Sequence, residues 1–244
     1  GGLGSQQKRT LALGATAIGV TAALAVGAWF LLNRAPEVDT GGTVGEVPAD
    51  DASQPIPRLA NAATQLAFAD KILAPERRTL AYEKVIAEFP ASRQQVVRAM
   101  AGLARTAEMD LQNFGQAALW YGTILGRTDA APDARQQAVA RLNLLLKEDG
   151  VAVPVLTAAA EQFEMANQIV DEEKRIAAYQ PIPSLARTPE EQPIVARALL
   201  QMATLQAGRG ETDTAIQNYQ SIVDRHPGSA EARVAQEKLQ ELRR

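Results

Sequence analysis

Two stretches of this chain, YEKVIAEFPAS at residues 82–92 and YQSIVDRHPGS at residues 219–229, share one layout. In each, a tyrosine precedes a proline by eight residues, an aliphatic pair lies between them, and a serine follows the proline by two. The stretches lie 219 − 82 = 137 residues apart. Such a recurrence is expected when a chain stacks the same structural unit more than once, because stacking imposes the same residue types at the same places.

The composition limits the fold class before any other motif is considered. The chain has 244 residues, of which 46% are hydrophobic but only 5% aromatic. Alanine, leucine, glutamine, glutamate and arginine are abundant, which favours helix over sheet, and no long stretch alternates with a period of two. We therefore expect an all-α protein. The absence of cysteine excludes disulfides, thiolate metal sites and cysteine nucleophiles.

The charge is unevenly distributed along the chain. Only three of the 25 Lys and Arg residues precede residue 35, whereas all 28 acidic residues follow it, so residues 35–244 carry 22 − 28 = −6. A nucleic-acid-binding protein needs a basic surface that displaces counterions from phosphates. We therefore expect no nucleic-acid partner.

Residues 10–32 form an uninterrupted run of 23 residues without an ionisable side chain. With a rise of ~1.5 Å per residue, a helix of this length reaches ~34 Å and crosses a ~30 Å hydrocarbon core. Trp29 and Phe30 are placed as aromatic anchors at the membrane interface, and two basic residues precede the run. We predict a single-pass helix in a bacterial inner membrane, with residues 1–9 cytoplasmic and the C-terminal domain periplasmic.

The same run carries small residues at a strict four-residue spacing, at Ala15, Gly19, Ala23 and Gly27. On a helix these positions make a groove that another helix can approach closely, although a segment rich in alanine and glycine also shows such a stripe by chance. A cleaved signal peptide is the alternative for the whole run, but the run is longer than a usual signal-peptide core. The excess of arginine over lysine, together with the alanine content, suggests a bacterial source.

Residues 33–57 are rich in Pro, Gly and Asp and lack apolar periodicity, which predicts an extended acidic linker. Residues 58–244 are predicted to form one helical repeat domain. Apolar periodicity and breaks place its helices at 58–73, 76–89, 93–110, 115–127, 133–148, 155–179, 193–208, 212–225 and 230–242.

Residues with capping preferences mark several of these helix starts. Two segments match the capping box, in which two side chains satisfy free backbone N–H groups: Ser92–Gln95 and Thr188–Glu191. Three prolines suit first-turn positions, where the missing N–H costs nothing: Pro75, Pro132 and Pro193. For the helix near residue 190 we prefer a start at Pro193 to one at Thr188.

The segment around the second stretch resembles the tetratricopeptide repeat, a pair of antiparallel helices. A small residue on each helix, an aromatic one turn later and a final proline occupy the family's positions at its spacing: Ala203, Ala215, Tyr219 and Pro227. Three positions depart from the family's pattern, which usually has Trp, Tyr and Ala there: Leu199, Gln206 and Ile222. The resemblance implies an α-solenoid of stacked helix pairs, with a generic helical bundle as the alternative.

Weaker matches to the same pattern occur elsewhere in the chain. Ala117 and Tyr121 match, with four extra residues before Ala117 that one additional helical turn would absorb. The first stretch keeps the tyrosine and the proline, Tyr82 and Pro90. The separation of 137 is close to four periods of ~34 residues, which is consistent with stacked pairs between the two stretches. Residues 133–191 match poorly, which predicts a non-repeat helical pair.

No residue pattern indicates catalysis or a metal site. His226 is the only histidine, and it precedes a proline at a repeat turn without a motif that supplies a carboxylate and a nucleophile, so we interpret it as an exposed turn residue. With one histidine and no cysteine, a metal would depend on carboxylates, and the acidic residues 171–173 indicate a solvated stretch. We therefore predict no enzyme, no metal and no cofactor.

Binding is the remaining class of function. In solenoids of this kind, the first helix of each pair forms a concave face that holds peptides or neighbouring subunits. The resemblance places the groove positions at Arg98 and Arg105 in one pair and at Arg197 and Thr204 in another. Arginines there can bind carboxylates, although an ordinary polar surface is the alternative for any single one.

These observations together predict a non-enzymatic, membrane-anchored scaffold, an accessory subunit of a larger bacterial membrane complex of the secretory, respiratory or photosynthetic kind. Its expected partners are integral membrane subunits and extracytoplasmic proteins. The alternative is a periplasmic chaperone or quality-control factor, because the layout is similar to that of translocon-associated tetratricopeptide proteins of bacteria. A stable stoichiometric partner distinguishes the first role from the second.

Overall fold

The computed structural model describes residues 54–243, and these residues are helical, without strands. The longer helices are α1 (Ala62–Lys71), α2 (Pro75–Glu88), α3 (Arg93–Arg105), α4 (Phe114–Gly126), α5 (Pro132–Leu145), α6 (Ala159–Ala166), α7 (Glu172–Tyr179), α9 (Gln192–Gly208), α10 (Thr212–Arg225) and α11 (Ala230–Leu242). Three short elements complete the set: a π-helix (Thr106–Asp110) that continues α3, the single turn α8 (Ile182–Leu185), and a 3₁₀ turn (Pro189–Glu191). The all-α prediction is therefore confirmed for the described part of the chain.

The predicted membrane helix lies outside the described residues. This applies to residues 1–9, to residues 10–32 with their small-residue stripe and aromatic anchors, and to residues 33–53 of the linker. Within residues 54–243, no helix combines the length and the apolar character that a bilayer crossing requires.

The helices follow one another as two copies of a five-helix unit. α1 and α6 begin 159 − 62 = 97 residues apart, α4 and α10 begin 212 − 114 = 98 apart, and α5 and α11 begin 230 − 132 = 98 apart. The same helices also pack together in both copies, since α1 contacts α2 and α3 as α6 contacts α7 and α9. We refer to residues 57–145 as module A and to residues 154–242 as module B.

The duplication is also visible in the amino-acid sequence. Residues 57–82 and 154–179, again 97 apart, are identical at eleven positions, which in the first copy are Pro57, Leu59, Ala62, Ala63, Gln65, Ala69, Ile72, Glu76, Arg78, Ala81 and Tyr82. Most of these side chains are buried in both copies, so the repeat is a repeat of the core. The prediction that residues 133–191 contain a non-repeat pair was therefore wrong, because α6 and α7 repeat α1 and α2.

Each module begins with an extended segment before its first helix, residues 57–61 in module A and 154–158 in module B, which we call the hook. A buried glutamine holds each hook in place. In module B the Gln162 Oε1 accepts from the backbone N–H of Leu156 at 2.7 Å, and its Nε2 donates to the Ala178 carbonyl at 2.7 Å. In module A the Gln65 Oε1 accepts from the N–H of Leu59 at 2.8 Å. Because the hook is extended, α1 and α6 begin at residues 62 and 159, four residues after the predicted starts.

All four tyrosines of the chain occupy one structural position. Each lies buried on the second helix of a pair, at Tyr82, Tyr121, Tyr179 and Tyr219. Each hydroxyl forms a hydrogen bond with a polar side chain on or next to the preceding helix: Asp70, Glu108, Asn167 and Thr204, respectively. The tyrosine–proline stretches at 82 and 219 therefore end the second helices of the first and fourth pairs, three pair-to-pair steps apart rather than four repeat periods.

The two stretches also share a backbone conformation at their turns. Phe89 and His226, which precede the prolines, both have φ −126° and ψ 48°. They differ at the serine that follows, because Ser229 accepts a hydrogen bond from the N–H of Ala232 whereas Ser92 caps nothing. The predicted Ser92–Gln95 capping box is thus absent, since Ser92 has ψ 66° instead of the extended conformation of a usual N-cap.

Two further helix predictions need correction. The predicted helix 155–179 is two helices, because Asp171 begins a new one by accepting a hydrogen bond from the N–H of Lys174 at 2.9 Å. The Thr188–Glu191 capping box does form, but around the 3₁₀ turn, and α9 itself begins at Gln192, with Pro193 in its first turn. Pro75 and Pro132 are the first residues of α2 and α5, as predicted.

Candidate functional site

An open cleft of about 390 Å³ lies in module A where α1, α2, α3 and the π-helix meet. Its lining combines two acids, two arginines, a tyrosine and an exposed methionine: Asp70, Arg78, Tyr82, Gly102, Arg105, Thr106, Met109 and Asp110. Two residues predicted from the sequence, Tyr82 from the repeat core and Arg105 from the groove, thus lie in one cleft.

The inner wall of the cleft is the Tyr82 hydroxyl and the Asp70 carboxylate. Tyr82 donates to Asp70 Oδ1 at 2.7 Å. Burial of the ring is the main reason that the pKa of Tyr82 is raised to about 12, and the hydrogen bond and negative charge of Asp70 raise it further. The nearby arginine charges lower the pKa but do not cancel this effect. Tyr82 therefore stays protonated well above neutral pH and donates to Asp70, which faces the cleft as an acceptor.

Gly102 also lines the cleft, and the Tyr82 ring packs directly against it. A methyl group on Gly102 would lie 2.4 Å from Cζ of Tyr82, closer than atoms can approach. The absence of a side chain here lets α3 approach α2 and brings the tyrosine hydroxyl to the surface of the groove.

The π-helix forms the outer wall. Asp110 in this element forms an ion pair with Arg78 of α2 at 2.6 Å. Glu108, which is 7% exposed, accepts from the Tyr121 hydroxyl at 3.0 Å and forms an ion pair with Arg141 of α5. These bonds tie the π-helix to three neighbouring helices, so the wall is fixed rather than loose. The extra residues before Ala117 are thus accommodated by a continuation of α3, as predicted, but with π rather than α geometry.

The predicted groove arginines of module A lie on one face of α3. Arg98 and Arg105 are seven residues apart, which is two helical turns, and both are exposed. Among residues 54–243, neither has an ion-pair partner. Arg105 is therefore a cation available to a ligand beside the acceptor Asp70, and Met109, 68% exposed, adds an apolar surface at the same rim.

The predicted groove residues of module B are engaged within the module. The guanidinium carbon of Arg197 lies 5.3 Å from the centroid of the Phe163 ring, a cation–π contact. The Thr204 hydroxyl bonds the Leu200 carbonyl at 2.8 Å and approaches the Tyr219 hydroxyl at 3.3 Å. They are therefore not part of the cleft in module A.

The remaining repeat-core residues are structural. The alanines and tyrosines named for the repeat pattern are at most 4% exposed: Tyr82, Ala117, Tyr121, Ala203, Ala215 and Tyr219. Pro90 and Pro227 are exposed in the turns after α2 and α10. The buried positions of the alanines and tyrosines, and the turn positions of the prolines, explain why this sequence pattern recurs.

Within the described residues, no group of three or more histidine, cysteine or acidic side chains could hold a metal ion. His226 is half-buried at the end of α10, not exposed as predicted, and its Nε2 is enclosed without a hydrogen-bond partner among these residues. In the first tyrosine–proline stretch the same place in the turn is taken by Phe89.

Several cleft residues were not singled out from the sequence, notably Asp70, Met109 and Asp110. A signal for Asp70 was present, because an acceptor precedes the tyrosine by twelve residues in both modules, as Asp70 in one and Asn167 in the other. No comparable signal marks Met109 and Asp110, which reach the cleft through the π-helix. Local sequence does not distinguish a π-helix from an additional α-helical turn.

A family model for the tetratricopeptide repeat matches residues 197–229, which span most of α9, all of α10 and the turn to α11. No curated protein and no solved structure matches the chain. The helix pair of α9 and α10 is therefore similar to a tetratricopeptide repeat. The matched residues form the fourth helix pair, and the other three pairs resemble it in the placement of their tyrosines. Such helical repeats are in general modules for protein–protein interaction.

Proposed function

We propose that this protein is a membrane-anchored, non-enzymatic interaction module that binds a protein partner in the cleft of module A. The observation that carries the proposal is Arg105, an exposed cation without an ion-pair partner among residues 54–243, on the lining of a cleft with a fixed acceptor and an apolar rim. A guanidinium in such a position is suited to a carboxylate, which it binds through two parallel hydrogen bonds.

The lining indicates the chemistry of the bound segment. Arg105 suits an acidic side chain or a chain terminus, Asp70 suits a donor next to it, and Met109 suits an apolar neighbour. Arg98, two turns away on the same face of α3, extends the positive surface beyond the cleft. We therefore propose a partner segment in which an acidic residue is followed or preceded by an apolar one.

The setting of this interaction is proposed from the sequence alone. Residues 10–32 are apolar over a length that spans a bilayer, and an anchor there would hold the helical domain at the membrane as an accessory subunit of a bacterial membrane complex. In this proposal N-terminal residues 1–9 are cytoplasmic and the repeat domain is periplasmic.

The test is co-purification of partners with the full chain, tagged after Arg244, from native membranes in mild detergent. Crosslinking and mass spectrometry identify what binds and where. The variant Arg98→Glu/Arg105→Glu reverses two groove charges, and Arg225→Glu/Arg233→Glu reverses two exposed charges elsewhere as a matched control. Hydrogen bonds to charged groups contribute ~1.5–3 kcal/mol, so we expect the groove variant to bind the partner with roughly 10- to 100-fold lower affinity. The control variant should bind it with unchanged affinity.

Three results would count against the proposal. Equal recovery of the partner with both variants would exclude the cleft. A changing mixture of secreted proteins instead of a fixed set would favour a chaperone role. Recovery of the untreated protein in the soluble fraction would exclude the membrane anchor.

A further inference from the structure

Module B packs onto module A through two glycines of α4. A methyl group on Gly122 would lie 2.7 Å from Sδ of Met165, and one on Gly126 would lie 2.8 Å from Cβ of Glu161. The hook residues Pro154 and Leu156 fill the space beside them, at 3.1 and 3.0 Å from the same methyl positions. The contact between the modules thus sets Glu161 and Met165 of α6, together with the two hook residues, against two small residues four positions apart.

The hook and the first helix of module A carry counterparts of these residues. Each of the four residues that meet the glycines has a counterpart 97 positions earlier, in the order Pro57, Leu59, Thr64 and Phe68. Met165 is fully buried against Gly122, whereas its counterpart Phe68 is only half-buried. Among the described helices, α1 contacts α2 and α3, and none lies where α4 lies against α6.

We propose that the surface formed by Pro57 and Leu59 of the hook and by Thr64 and Phe68 of α1, here called the α1 face, binds an α-helix of a partner protein that carries two small residues four positions apart. The occupant's chemistry is read from the equivalent interface, where Gly122 and Gly126 allow the close approach. Larger side chains at those two positions would hold the helices apart, since interaxial distance depends on the residues at the contact.

Two other occupants fit less well. In a second copy of this chain, Gly122 and Gly126 are already covered, and the exposed small residues at this spacing, Ala63 and Ala67, lie on α1 itself. The equivalent positions of α10 hold Gln220 and Asp224, which bond each other at 3.0 Å. The chain's own residues 10–32 have suitable spacing, but the inference rests on the proposed function, which places them in the membrane.

The experiment uses the helix that the protein itself places on the equivalent face. A fluorescent peptide of residues 113–127, with lysines added for solubility, is titrated with the full chain in mild detergent, and binding is followed by anisotropy. The control peptide carries Gly122→Leu and Gly126→Leu. The protein variants are Phe68→Glu, which places a charge on the face, and Phe68→Met, which installs the residue that module B uses.

We expect saturable binding of the glycine peptide and at least ~10-fold weaker binding of the leucine peptide. Phe68→Met should bind within ~3-fold of the unmodified chain, and Phe68→Glu should bind at least ~10-fold more weakly. No saturable binding, equal binding of the two peptides, or unchanged binding by Phe68→Glu would each overturn the proposal. If Phe68→Glu does not fold, the two peptides and Phe68→Met still decide.

The outcome can be separated from that of the proposed function. The variant Arg98→Glu/Arg105→Glu should bind the glycine peptide normally, because these arginines are on α3 and not on the α1 face. If that variant loses the native partner while the peptide fails to bind the unmodified chain, the cleft is supported and the α1 face is not.

Discussion

The buried glutamine of each hook is predicted to stabilise its module, and the two copies are predicted to differ in magnitude. Gln162 is fully buried and holds three backbone groups, the N–H of Leu156 and the carbonyls of Pro154 and Ala178. Gln65 holds the N–H of Leu59 and the carbonyl of Pro57, and these bonds are only partly buried. Replacing each glutamine by leucine keeps an apolar filling of similar size but removes the hydrogen bonds.

The magnitude follows from the groups left without partners. An unsatisfied buried polar group costs ~1–3 kcal/mol, so Gln162→Leu, which strands one N–H and one well-bonded carbonyl, should cost about 3 kcal/mol. Water can reach the partly buried hook of module A, so Gln65→Leu should cost about 1 kcal/mol. At ~2–4 °C per kcal/mol for a domain of this size, the melting temperature should fall by roughly 6–12 °C for Gln162→Leu.

The assay is thermal and urea unfolding of the full chain, followed by circular dichroism, with hydrogen exchange to locate the effect. Gln137→Leu on the exposed face of α5 is the matched control and should change stability by no more than ~0.5 kcal/mol. Faster exchange should appear in α6 and α7 for Gln162→Leu and in α1 and α2 for Gln65→Leu. An unchanged melting temperature for Gln162→Leu, or a larger loss for Gln65→Leu, would refute the reasoning.

Two further predictions concern the packing of the cleft and the tyrosines. Gly102→Ala should destabilise the protein by ~1–3 kcal/mol, because the new methyl group meets the buried Tyr82 ring. Gly208→Ala is the control: nothing lies within 4 Å of the new methyl group, so this variant should be neutral or stabilise the protein by up to ~1 kcal/mol. Urea unfolding measures both changes, and similar values for the two variants would contradict the packing. The folded-state pKa values of Tyr82 and Tyr121 are raised to about 12, above the unfolded value of ~10, so their contribution to stability is complete below pH ~10 and is lost as the pH rises through 12. Absorbance titration at 295 nm should show late ionisation that Tyr82→Phe/Tyr121→Phe reduces without abolishing, because burial also raises the pKa of Tyr179. Ionisation of all tyrosines near pH 10 in the folded protein would contradict this.

The sequence predicted the helices better than it predicted their grouping. The tyrosine–proline stretches correctly indicated repeated helix pairs, because a buried tyrosine and a turn proline leave a mark at fixed spacing. The third pair was missed because two prolines follow Tyr179 closely, at residues 181 and 183, so α7 ends early and the usual proline spacing is lost. The sequence pattern of the hook, Pro-x-Leu followed by a glutamine six residues after the leucine, occurs in both modules and would have identified the third pair.

The candidate site was only partly predictable for a different reason. Arg105 could be placed in the groove because groove positions have a fixed spacing on the first helix of a pair. The opposite rim depends on the π-helix, whose geometry follows from tertiary bonds such as that between Glu108 and Tyr121. Those bonds join residues whose proximity exists only after the helices have packed, so the local sequence does not specify them.

The two modules differ at the positions on which both proposals rest. Tetratricopeptide-like pairs must cover one another's apolar faces, and a solenoid therefore needs a surface that ends it. In module B the equivalent positions of α10 hold Gln220 and Asp224 in place of the two glycines that accept the hook. Module A has the apolar residues Pro57, Leu59 and Phe68 at the positions that make this internal contact in module B. In our proposal a partner helix packs against the α1 face of module A, and the cleft lined by Arg105, which has no ion-pair partner among the described residues, lies in the same module.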